Sequence, residues 1–180
     1  MTIADLQARL APELVEWFAD AGANDDGPEL HLVGLGPGEL ERCFAAIAEL
    51  GPCWAGRDYF IDDEEAIVTV AERPEVAALV AAGRVRYPSL SADGITIEGV
   101  VLPLVEMFLL PDEIEFFWWP ETAWRPERVA GFFALMMRLL ALAPAAKLRP
   151  DPRYAPEARR MLGGRIAELI GAPERLDYGR

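Results

Sequence analysis

A chain of 180 residues with 52% apolar composition is long enough for one domain with a sizeable core, and it is too apolar for a disordered segment. Its formal net charge is −13, and the first 72 residues account for all of it: 16 Asp and Glu stand there against three Arg, while the remainder carries 14 of each sign. A surface this acidic repels nucleic acid and steers cationic molecules, so a basic protein partner is expected and a nucleic-acid partner is not.

The N-terminus lacks the basic start and apolar run of a signal peptide, and the longest apolar stretch, Val129 to Ala143, is too short to cross a bilayer. Two cysteines, Cys43 and Cys53, do not make a disulfide framework. These features predict a cytoplasmic protein with no membrane partner.

Thr2 to Asp5 has the form of a capping box, and Leu6, Leu10, Leu14, Trp17 and Phe18 follow at helical spacing, interrupted by Pro12, which is placed near the start of a helix. Asn24 to Pro28 reads as a turn, and Glu29 to Leu35 as a strand. A helix from Pro37 puts Leu40, Cys43, Phe44, Ile47 and Leu50 on one face and ends at Gly51-Pro52. Two short extended segments, Tyr59–Ile61 and Ala66–Val70, flank the acidic turn Asp62 to Glu65. A helix over Pro74 to Ala82 follows, then strands at Arg84–Tyr87 and Ile95–Glu98.

The clearest hairpin joins Val105–Leu110 to Glu113–Trp119 through Pro111-Asp112. The helix from about Pro126 to Ala143 is apolar almost all round and belongs at the centre of the fold. Four prolines between 144 and 156 suggest a stiff crossing before a last helix over about 157 to 170. The sum is a single α+β domain, residues 1–180, with a mostly antiparallel sheet and helices packed mainly on one side.

Val33-Gly34-Leu35-Gly36-Pro37-Gly38 is the sharpest local motif, because glycines between strand and helix let backbone N–H groups approach a phosphate or cofactor. The string resembles the opening motif of the tetrapyrrole methylases, which bind S-adenosylmethionine. The resemblance covers six residues, with Glu39 matching the acidic residue that follows. In that family the motif opens a longer chain, whereas here a helix precedes it. The resemblance implies an enzyme that binds S-adenosylmethionine or a nucleotide at Gly34–Gly38, with Asp58 or Glu65 as acid or base. The residues themselves read as a tight turn, so no cofactor is expected.

His31 is the only histidine, and among Leu30, Leu32 and Val33 it reads as an ordinary strand residue. The carboxylates from Asp58 to Glu65 miss the spacing of a calcium loop, since Phe60 stands where a ligand is needed, and no metal is expected. On the strand Glu113–Trp119 one face offers Ile114, Phe116 and Trp118. The other mixes Glu113 and Glu115 with Phe117 and Trp119, and the Pro126–Ala143 helix is expected to cover it.

With few catalytic parts, the chain is expected to be no enzyme. It reads as a small acidic binding protein of the inhibitor or toxin-immunity type, bacterial in character, that neutralises a basic protein partner. The partner-binding residues expected are Asp25, Asp26, Asp58, Asp62, Asp63, Glu64 and Glu65 in turns, with Phe117, Trp119 and Trp124 as aromatic anchors. A homodimer of secretion-chaperone type is the third alternative.

Overall fold

The computed structural model describes residues 1–19, 28–54, 59–86, 88–119 and 123–178. Its framework is a six-stranded sheet in the order β10-β1-β9-β8-β5-β2, antiparallel at each pairing. These strands are β1 (Glu29–Val33), β2 (Cys53–Trp54), β5 (Ser89–Asp93), β8 (Val105–Leu110), β9 (Glu113–Trp118) and β10 (Lys147–Pro150). Two small hairpins, β3–β4 (Tyr59–Ile61, Ala66–Val68) and β6–β7 (Thr96–Ile97, Val100–Val101), lie apart from it. The helices are α1 (Ile3–Arg9), α2 (Pro12–Ala19), α3 (Pro37–Ala48), α4 (Val76–Ala81), α5 (Pro126–Leu142) and α6 (Pro156–Ile170). The protein is one α+β domain.

Alternation along the strands makes the two faces of the sheet different. Leu30 and Leu32 of β1, Ile114, Phe116 and Trp118 of β9, and Met107 and Leu109 of β8 are all buried and point to the helices. There α5 is the central element: Phe132, Phe133, Leu135 and Leu139 have no exposed surface, and Phe132 meets both Phe116 and Trp118. Phe18 of α2 stacks on Trp118 with ring centroids 4.2 Å apart. Pro12 opens α2, where the missing N–H costs nothing.

Three expectations are corrected. The strand expected over 84–87 lies further on, at Ser89–Asp93, with Tyr87 outside the described residues. Its sequence, Ser-Leu-Ser-Ala-Asp, has weak strand propensity, and pairing between β2 and β8 overrides that preference. The proline-rich crossing holds β10, an edge strand, where Pro150 at the end of the ladder breaks little. Helix α5 packs on the Phe116 face of β9, so it does not cover the Phe117 face.

Candidate functional site

The face of the sheet turned away from α5 carries the chemistry. Strand register aligns the rows across it: Arg149–His31–Glu115–Phe108–Ser89 run side by side, and Glu29–Phe117–Glu106–Ser91 form the next row. Cross-strand neighbours on one face lie about 5 Å apart, so these groups interact directly.

His31 is the centre, only 4% exposed. Its Nδ1 contacts the Glu113 carboxylate and its Nε2 lies 3.3 Å from Glu29. Glu115 stands 3.7 Å from Nδ1. Burial works against the charged imidazole, but the hydrogen bonds to Glu113 and Glu29 and the nearby Glu115 outweigh it and raise its pKa to about 9. His31 is therefore an imidazolium at neutral pH that donates from both ring nitrogens. A base already protonated at neutral pH cannot abstract a proton there.

The anions around it are held in turn. Arg149 donates to both oxygens of Glu113 at 2.8 and 3.0 Å. Arg153 contacts Glu29 and donates to Asp151 at 2.9 Å, Asp151 being 1% exposed. Burial pushes the Glu113 carboxyl up, yet His31 and Arg149 more than compensate and hold it below the ordinary range. Glu115 differs. Burial, then the charges of Glu113 and Glu29, raise its pKa despite His31, and its side chain is 27% exposed. Among the described residues no donor hydrogen-bonds to it.

Two triplets have the composition of metal sites, Glu29–His31–Asp151 and His31–Glu113–Glu115. In each, an arginine already holds a carboxylate, so a cation there would compete with a guanidinium for its ligands. The arrangement fits a charge-alternating clamp joining β10, β1 and β9 better than a metal site.

Phe117 follows Glu115 on the same strand face, and Trp119, 48% exposed just past the end of β9, meets Phe117 edge-on at 5.1 Å. Phe117 itself is 8% exposed. Trp124 faces the other way, 2% exposed among Phe18, Trp118 and Phe132, and is a core residue rather than a surface anchor.

The acidic turn is not bare. Arg86 pairs with Asp62, Arg84 with Asp63 and Glu64, and Arg73 with Glu64, at 2.6 to 3.0 Å. Glu65 is exposed, with φ at +49°. Asp25, Asp26 and Asp58 lie outside the described residues.

At the glycine motif, Gly34 adopts φ +80°, which explains a glycine there. The N–H of Gly36 donates to the Glu39 carboxylate at 2.9 Å, and that of Leu35 donates to the carbonyl of Asp112. Glu39 thus occupies the place an anion would take at the start of α3. Cys43 is buried, its thiol pushed up to about 11 by burial, and Cys53 is exposed on β2.

The sequence does signal this site in part, since Glu113 and Glu115 share a strand face with Phe117. His31, Glu29, Arg149, Arg153 and Asp151 are far away in the chain, and no local pattern links them. No family model, curated protein or solved structure matches this chain.

Proposed function

We propose that the protein is a binding protein of the inhibitor type, which receives cationic side chains of a basic protein partner at Glu115, on the face of its sheet turned away from α5. The observation that carries this reading is Glu115: a partly exposed carboxylate, flanked by carboxylates, that no donor among the described residues hydrogen-bonds and that stands 3.7 Å from His31, with the exposed Trp119 beyond Phe117 further along the chain. A guanidinium fits such a place. It would satisfy the carboxylate with charge-assisted hydrogen bonds, and Trp119 offers the same partner a second, aromatic anchor. Burying that contact also suits the energetics of anchors, in which aromatic and charged centres dominate.

The small size, the acidity and the α+β fold liken it to bacterial immunity proteins that neutralise cationic toxins in the cytoplasm. Electrostatic attraction by a chain of net charge −13 would accelerate such an encounter. The test is affinity capture from the source lysate at low salt, followed by titration of the captured protein against wild type, Glu115→Gln and Trp119→Ala. Each variant is expected to weaken binding at least tenfold, with a reduced salt dependence for Glu115→Gln. Unchanged affinity rejects the sheet face, and capture of no basic protein rejects the reading as a whole.

A further inference from the structure

On the helical side of the molecule, a groove of about 650 Å³ runs between α3 and α4. Its floor is apolar and aromatic: Phe44 stacks on Trp54 with centroids 5.3 Å apart and planes 28° apart. Its walls are small, formed by Ala45 and Ala48 of α3 and Ala77 and Ala78 of α4. Among the described residues, every ionisable side chain that lines it is acidic, namely Glu41, Glu49 and Glu75. Arg138 and Arg73, which pair with Glu49 and Glu75, do not line it, and Glu41 has no ion pair among the described residues.

We infer that this groove is a second docking site, whose occupant is an amphipathic α-helix of a basic partner, with apolar side chains at i, i+3, i+4 and i+7 and Lys or Arg along its edges. That the partner is basic rests on the reading above; the groove supplies the shape. Three arguments select a helix of this kind. The backbone groups of α3 and α4 are spent within the helices, and β2 is two residues long, so an extended peptide finds almost no ladder to join. A helix satisfies its own backbone and needs only side-chain contact. The alanines keep the walls low, which lets a helix approach closely, while the Phe44–Trp54 floor takes its apolar residues. The glutamates then lie where the edges of that helix pass, and they match Lys and Arg. A second copy of this chain would instead bring its own net negative charge against the same rim.

The test uses the intact protein and a synthetic Leu/Lys peptide with helical amphipathic spacing. Its controls are a Leu/Glu peptide of the same pattern and a scrambled Leu/Lys peptide of identical composition. Calorimetry is expected to show the Leu/Lys helix binding wild type at least tenfold more tightly than either control. Ala48→Arg, at an exposed helix position that leaves the core untouched, should abolish this binding. The triple change Glu41→Gln, Glu49→Gln and Glu75→Gln should weaken it at least tenfold and flatten its salt dependence. Equal binding of the scrambled peptide, or of the Leu/Lys helix to Ala48→Arg, would overturn the groove. Glu115→Gln should leave the peptide titration unchanged, so failure of the groove and failure of the sheet face are read separately.

Discussion

Arg149 donates through one guanidinium nitrogen to both carboxylate oxygens of Glu113, while His31 on the neighbouring strand donates to the same carboxylate. Arg149 sits on β10 and Glu113 on β9, with β1 between them, so the contact clamps an edge strand across its neighbour. With Arg153 reaching Glu29, the charges alternate across three strands. Such a cluster is held by its cations as much as by its anions, and its pH dependence follows.

The folded pKa of His31 lies above its unfolded value, about 9 against 6.5. A raised base contributes stability that is complete below about pH 6.5 and is lost as pH rises through 9. At roughly 1.4 kcal/mol per pH unit, the loss is on the order of 3 kcal/mol. Denaturant unfolding at pH 6.5, 8 and 9.5 should show this fall, and His31→Gln should remove most of the slope. A flat profile in wild type would mean that the imidazole is not charged in the folded state.

Glu115 works in the opposite sense. Its pKa is raised, so ionisation is unfavourable in the fold and costs stability as pH rises above the unfolded carboxylate value. Glu115→Gln should therefore raise the melting temperature at neutral pH and leave it unaltered in strong acid. A lower melting temperature at pH 7 would show that attraction to His31 outweighs desolvation. The same variant is expected to lose partner affinity, a stability–function trade-off typical of binding sites.

The start of α3 is capped by its own side chain. Glu39→Ala removes the acceptor from the N–H of Gly36 and should cost about 1 kcal/mol in chemical denaturation. Calorimetry of wild type with S-adenosylmethionine and with nucleotides is expected to show no micromolar binding. Tight binding abolished by Gly36→Val would restore the enzyme reading.

Phe133 and Leu139 on α5 have no exposed surface, and replacing either with alanine should cost about 2–5 kcal/mol. Thermal or denaturant unfolding measures it directly. A cost well below 1 kcal/mol would mean that α5 is not the central helix.

Reversing the acidic turn, with Asp62, Asp63, Glu64 and Glu65 all changed to Lys, has an expected effect that the fold inverts. An isolated acidic patch would gain stability from the loss of self-repulsion. Here Arg73, Arg84 and Arg86 face those carboxylates, so lysines would create new repulsion and the protein should unfold at lower temperature. Differential scanning calorimetry at low salt decides the sign, and added salt should narrow the difference.

Local order is what the sequence alone determined. The β8–β9 hairpin, the extent of α3 and α6, the central α5 and the α+β class follow from periods of 2 and 3.6 residues, which each segment carries within itself. The weak segments Ser89–Asp93 and Lys147–Pro150 became strands only because neighbours offered them a ladder. Beyond the shared strand face of Glu113 and Glu115, only the tertiary structure decided the site. His31 meets Glu113 across 82 positions, Glu113 meets Arg149 across 36, and Arg153 meets Glu29 across 124, through strand register that no single segment encodes. It also redrew the charge: Arg73, Arg84, Arg86, Arg138, Arg153 and Arg165, all from the electrically neutral part of the chain, pair with acids of the first 72 residues. Charge along a chain is a one-dimensional sum, whereas partners respond to the field left after folding has brought opposite charges within 3 Å. That is why the paired acidic turn recedes, while Glu115, which the strand pattern places beside Phe117, stands out once the ion pairs around it are formed.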